Sequence, residues 1–392
     1  MLTHRQLFLN NVAQTSPFPL GLEIERAEGI YLWDRNQKKY IDLIAGISVS
    51  NVGHRHPMVI KAIEKQLASY MHLMVYGEYV QTPQVELARK ITELLPSSLD
   101  NVFFVNSGSE AIEGAMKLAK RYTGRHEIVA FENAYHGSTQ GALSLSSDED
   151  RKTPFLPLLP EIQWLKLNNQ EDLSKITQKT ACVIIEPIQG EAGVRETDKS
   201  FMLELRKKCT ETETLLVFDE IQTGFGRTGK MFAFEHYDVV PDIITFAKGM
   251  GGGMPIGAFV SSKEIMQTLT FEPVLGHITT FGGHPVCCAS AIGCISALFD
   301  DDMISSVEHT SNIFRKNLSQ LSIVKDYRSK GLLIAVEFDS FETNKRIIDR
   351  CIENGVITDW FLYSPQSMRI APPLNITEDE CELACELIIK SL

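Results

Sequence analysis

Apolar residues recur along this chain in two rhythms. Residues 29–34 and 39–43 are short runs around the polar turn Arg35–Asn36–Gln37, a pattern that predicts a β-hairpin. Over residues 57–96 the spacing lengthens: Val59, Ile63 and Leu67 recur every four residues, and Val85, Leu87 and Ile91 continue the pattern, which predicts helix. The middle alternates continuous apolar runs, at residues 102–105, 127–131, 181–185, 215–218, 243–246 and 256–260, with polar or helical connections. Strands covered on both faces read this way, so the expected core is α/β, a mostly parallel sheet with helices on both faces. After Ala291 the pattern predicts a long helical stretch, a strand at 332–338, a helix around 345–354 and a last helix from Glu378. Thr377 and Glu380 stand at capping-box spacing before that helix. The C-terminal segment is expected to pack with the N-terminal hairpin, since no repeat or Gly/Ser linker separates the two ends.

Composition narrows the function more than the fold. The 392 residues are 44% apolar and 22% charged, which excludes a disordered or collagen-like polymer and leaves room for two or three packed units, or one large α/β domain with an appendage. A formal charge of −12 argues against an electrostatic hold on nucleic acid or an anionic membrane. The eight cysteines contain no CxxC pair and sit mostly in apolar runs, so neither a disulfide framework nor a metal site is expected, and a reducing cytoplasm fits best. The N-terminal segment lacks the long apolar stretch of a secretion signal, and no later run has the length of a membrane span.

Candidate chemistry clusters at strand ends. Lys248 follows the apolar strand 243–247 and precedes Gly249, Gly251, Gly252, Gly253 and Pro255. A phosphate-binding P-loop has its glycines before the lysine, so this reversed order excludes it. Two readings remain: a solvated strand-end lysine, or a lysine placed for Schiff-base chemistry beside glycines that let a ring approach. Asp219 ends the run 215–218, at the edge where open α/β sheets bind ligands; it either caps the turn or pairs with a protonated pyridine nitrogen. The strand–turn–helix pattern of VFFVNSGSEAIEGAMKLAKR puts Ser107, Gly108 and Ser109 where orphan N–H groups and the helix dipole attract an anion, although Ser109 alone also reads as a helix cap.

Taken together, NSGSEA, YHGS, EPIQGEAG, FDEIQTGFGRTG, FAKGMGGGMPIG, TTFGGHP and MRIAPPL stand in an order and spacing that resemble the class III (ornithine-type, omega) aminotransferases of the fold type I pyridoxal phosphate enzymes. The resemblance runs over nearly the whole chain. It implies a large cofactor-binding unit at residues 51–290 and a smaller α+β unit built from 1–50 and 291–392. Lys248 would hold pyridoxal 5'-phosphate as a Schiff base and then move the substrate proton. Asp219 would meet the pyridine nitrogen and Gln222 the phenolic oxygen. Ser107, Gly108 and Ser109 would hold the phosphate, and Tyr135 would stack on the ring, with His136 beside it but assigned no proton-transfer role. Thr280 would complete the phosphate site of a neighbouring subunit, making the enzyme a homodimer. Glu191 and Arg369 match a pair that in ornithine-type members hides the arginine from the amino donor and exposes it to the keto acid.

One position departs from the family. Acetylornithine and ornithine aminotransferases commonly carry FHGRT, whose arginine reads the substrate's second carboxylate, whereas this chain has Ser138 there. His54 and Arg55 are candidate replacements. The expected reaction is ping-pong transfer of the terminal amino group of an ornithine-like, acylornithine-like or other omega-amino acid to 2-oxoglutarate. An aminomutase or racemase on the same scaffold, or a noncatalytic cofactor-binding relative, are the alternatives.

Overall fold

The computed structural model describes residues 2–392. Seven strands form the main sheet, in the spatial order Asn101–Val105, Gly257–Ser261, Ile243–Phe246, Leu215–Asp219, Thr180–Ile185, Glu127–Phe131, Ile162–Leu165. Gly257–Ser261 runs antiparallel to both neighbours and the other pairings are parallel. The sequence-derived reading of a mostly parallel sheet therefore holds.

Alternation along the strands divides the core in two. Val183, Ile185, Leu216, Phe218, Ile244 and Phe246 join one buried cluster. Cys182, Ile184, Leu215, Val217 and Ile243 join another, which the helix Gly108–Thr123 covers with Ala111, Ile112, Ala115 and Leu118. Successive side chains point to opposite faces of a strand, so a sheet buried on both sides needs uninterrupted apolar runs. Because these strands are parallel, their carboxyl ends share one edge, and the chain leaves that edge at Asn106, Glu186, Asp219 and Ala247.

The two chain ends meet. The hairpin strands Tyr31–Asp34 and Lys39–Asp42 form as expected, and Val356–Ile357 adds to Lys39–Asp42 in parallel. The fourth strand of that sheet, Ile24–Glu28, lies outside the expected hairpin. A second antiparallel sheet joins Asp326–Lys330, Leu333–Glu337, Ser364–Ile370 and Asp359–Phe361. Arg227 is fully buried and donates to Asn51 Oδ1 at 2.6 Å, Leu332 O at 3.0 Å and Pro372 O at 2.5 Å, tying both ends to the main sheet.

Three expectations need correction. The long helix after Ala291 is two helices, Pro285–Asp300 and Met303–Leu318. The break falls at Asp302, whose φ of 49° is left-handed and cannot continue a right-handed helix. The first of these helices also begins before Ala291 and spans the boundary drawn at residue 290. Residues 57–96 likewise hold two helices, Pro57–Leu67 and Thr82–Glu93, with an irregular stretch between them.

Candidate active site

A cavity of about 410 Å³ opens at the carboxyl edge of the main sheet. Lys248, Asp219, Gln222, Tyr135, His136 and the Ser107–Gly108–Ser109 turn all line it, although they arrive from four separate strand ends. Of the residues to which the family resemblance gives a role, three do not line this cavity: Glu191 and Arg369 stand behind Gln222, and Thr280 is exposed on the segment before the helix Pro285–Asp300.

The helix Gly108–Thr123 is capped by Ser107, not Ser109: Ser107 Oγ accepts the Glu110 N–H at 3.2 Å. Glu110 reaches back to the Asn106 N–H at 2.7 Å. Among the described residues no acceptor meets the N–H groups of Gly108 or Ser109. Two orphan donors at the start of a sixteen-residue helix make an anion site, since the helix dipole adds positive character there. Gly137 closes against this turn with φ +128°, and a Cβ on it would come within 2.1 Å of Ser109 Oγ, so only glycine fits.

Asp219 is buried and accepts twice, from the Ile221 N–H at 2.9 Å and in a 2.7 Å hydrogen bond with His136 Nδ1. Burial pulls the His136 imidazole down, but the bond and charge of Asp219, with the charge of Glu186, hold it above its ordinary value. Glu186 is the residue that sequence reasoning missed. It ends the buried strand Thr180–Ile185 just as Asp219 ends its own strand, a signal that was available. Its carboxylate accepts the Tyr135 N–H at 2.9 Å and the Gly190 N–H at 3.1 Å. Burial pushes its pKa up, against the charge of His136.

Lys248 sits at φ +42° after the strand Ile243–Phe246. Burial holds its ammonium below the ordinary lysine range, against the pull of Glu191 and Asp219. A lysine with a depressed pKa is more often the free amine, the form that attacks an aldehyde. The residues present therefore fit pyridoxal phosphate: an anion site at the helix start, a buried carboxylate for a pyridinium, and a desolvated amine for the aldehyde.

Arg369 and Glu191 form a buried bidentate pair, Nη1 to Oε1 at 2.7 Å and Nη2 to Oε2 at 3.1 Å. Arg369 Nε also donates to Asp359 Oδ1 at 2.8 Å. Burial works against the Glu191 charge, but Arg369 more than offsets it and keeps the carboxylate below its usual range. Gln222 Nε2 donates to Glu191 Oε1 at 3.4 Å, which links the pair to the cavity.

The two residues considered as stand-ins for the arginine missing at Ser138 are elsewhere. His54 Nε2 bonds Asp42 Oδ2 at 2.7 Å, and Arg55 is exposed; neither lines the cavity. His284 caps the helix Pro285–Asp300 through Nδ1.

A family model described as aminotransferase class-III matches residues 12–392. The acetylornithine aminotransferase of Methanopyrus kandleri is 40% identical, across 94% of this chain and 93% of its own length. A LysW-aminoadipate semialdehyde/glutamate semialdehyde transaminase of Sulfolobus acidocaldarius is 39% identical across 95% of each chain. A crystal structure of ornithine aminotransferase from Toxoplasma gondii, with partial occupancy of pyridoxal phosphate at its active site, superposes with a TM-score of 0.90 at 30% identity, covering 98% of this chain and 92% of the other.

Proposed function

Because the chain belongs to the class III aminotransferases and is a pyridoxal phosphate-dependent transaminase of fold type I, we propose that it moves the terminal amino group of an ornithine-like, acylornithine-like or other omega-amino acid to 2-oxoglutarate. The observation that carries this reading is the buried Glu191–Arg369 pair behind Gln222. A guanidinium already held as a fork matches a carboxylate bidentately, so a substrate α-carboxylate can replace Glu191 like for like. While the pair is closed, Arg369 is neutralised and a donor presenting only an amine meets no unpaired cation. When it opens, Arg369 grips the keto acid.

The remaining roles are those the family resemblance implies, and the cavity lining supports them. Bound pyridoxal phosphate supplies an electron sink for the pair left when a substrate C–H proton departs. Asp219 holds the ring nitrogen protonated, Tyr135 packs against the ring, and Gln222 donates to the phenolic oxygen. The N–H groups of Gly108 and Ser109, with Ser107, hold the phosphate. Lys248 Nζ would hold the aldehyde and, when free, would carry the proton that leaves the substrate carbon.

The reading includes a homodimer working in the cytoplasm. Thr280 is exposed among Val274, Leu275, Ile278 and Phe281, apolar side chains that a second copy would cover and beside which Thr280 would reach that copy's phosphate. All eight cysteines are free and buried, which suits a reducing compartment. No described helix is long and apolar enough to cross a membrane.

A half-reaction screen tests the assignment. Holoenzyme mixed with omega-amino acids should lose the aldehyde-form absorbance, and 2-oxoglutarate should restore it; Lys248→Ala should do neither. No spectral change with any omega-amine, or turnover retained in Lys248→Ala, overturns the proposal. Conversion of one substrate to an isomer without a keto acid selects the mutase or racemase instead.

A further inference from the structure

A second cavity of about 410 Å³ adjoins the first, with Tyr135, His136 and Gly137 forming part of both linings. It runs past Ser138 to Phe155 and Tyr363, and Arg151 is the one lysine or arginine among the described residues lining it. Resting on the omega-amino donor reading above, we propose that this cavity is the distal subsite for the donor and that Arg151 binds a carboxylate at the end remote from the reacting amine.

Three observations carry this. First, the cavity is amphipathic: Tyr135, Leu143, Phe155 and Tyr363 offer apolar walls for a methylene chain, and the charged groups, Asp150 and Arg151, are neighbours on the short helix Glu149–Lys152. Second, Arg151 is held in place. Its guanidinium lies 5.1 Å from the Tyr363 ring centroid, donates to Leu362 O at 3.3 Å and pairs with Asp148. That pair is 42% exposed on the arginine side, whereas Arg369 in its pair with Glu191 is 3% exposed. An exposed pair exchanges its acid partner at little cost, and a buried one does not. Third, the same backbone serves both sites, because Leu362 N–H donates to Glu191 Oε2 at 3.1 Å and Tyr363 N–H to Glu191 O at 3.0 Å. A donor tail seated against Tyr363 thus braces the segment that keeps Glu191 on Arg369. The donor's far carboxylate and the keto acid's α-carboxylate then use different arginines.

The test compares 5-aminopentanoate with pentylamine, donors of equal length with and without the far carboxylate. In Arg151→Gln the preference for the acid, taken as the ratio of the two kcat/KM values, should fall about tenfold, the effect of losing one charge-assisted contact. In Asp148→Asn it should rise about threefold, because the competing charge is gone while asparagine still caps the helix through the Arg151 N–H. Calorimetry of pentanoate on each holoenzyme reads the same site without turnover: weaker binding in Arg151→Gln and tighter in Asp148→Asn are expected. If neither donor reacts, the omega-amino reading fails while pentanoate still decides the role of Arg151. Preference and affinity within twofold of wild type in both variants overturn the assignment.

Discussion

Asp219 serves two partners with two oxygens, and that division makes its charge separable from its geometry. The Ile221 N–H on Oδ1 holds the side chain in place, while Oδ2 meets His136. Asp219→Asn keeps the shape and the first bond but removes the negative charge that stabilises a pyridinium. Turnover should therefore fall at least about a hundredfold, the scale of losing one preorganised electrostatic contact, with the melting temperature little changed. The His136 imidazole should titrate at lower pH, because burial then acts on it without the carboxylate. Unchanged turnover would remove Asp219 from the mechanism. Lys248 and Asp219 were legible in the sequence as candidates because each stands at the end of a continuous apolar run, at the edge where open α/β sheets bind ligands, and the ordered family motifs favoured the chemical reading over the structural one. Glu186 obeys the same rule after Thr180–Ile185, but it was submerged in EPIQGEAG, where Glu191 drew attention. What no spacing could show is that Tyr135 and Gly190 hang on a single carboxylate from positions far apart in the chain.

Glu220 shows how an element is pinned by one group. Following the strand Leu215–Asp219, it is fully buried and accepts from Thr223 Oγ1 at 2.6 Å, the Ala233 N–H at 2.9 Å and the Phe234 N–H at 2.6 Å, fixing the short helix Ala233–His236. Burial raises its pKa to about 7 despite those bonds. The sign follows. Between its ordinary value near 4.5 and about 7 the folded chain keeps a proton that the unfolded chain has released. This contribution is largest at the acid end and is lost as pH rises through 7. Glu220→Gln, which stays neutral, should make the fall in denaturation midpoint from pH 5 to 8 shallower than in wild type at equal cofactor loading. An equally steep fall would mean that Glu220 is ionised throughout. Elements built from apolar periodicity were readable, the central strands above all. Among those that escaped, Ile24–Glu28 and Asp326–Lys330 are half-buried or exposed and Ile162–Leu165 is short, while Ser364–Ile370 is interrupted by polar residues. Sheet partners rather than local pattern hold such strands, as in DYRSK, where Tyr327 is the one side chain that packs on the core.

At the scale of the whole molecule, the apolar surface is unevenly spent. Val274 is 73% exposed, Leu275 56%, Ile278 51% and Phe281 54%, all within one segment that ends at the helix Pro285–Asp300. Tyr76 N–H donates to Thr279 O at 3.1 Å, which brings Met71, Leu73 and Met74, also exposed, onto the same face. Such a contiguous patch is unfavourable in water unless something covers it. A chain carrying −12 repels a copy of itself at long range, so association has to come from this local burial. Ile278→Asp places a charge in the centre of the patch. The wild-type particle should have twice the 43.9 kDa chain mass in light scattering, and the variant should shift toward the single chain. If Thr280 completes a neighbour's phosphate site, the variant should also hold pyridoxal phosphate at least about tenfold more weakly, read from absorbance after dialysis, since one charge-assisted contact is lost. A monomeric variant with undiminished cofactor affinity would separate the two ideas: the patch would remain the dimer contact, and Thr280 would have no part in the neighbouring site.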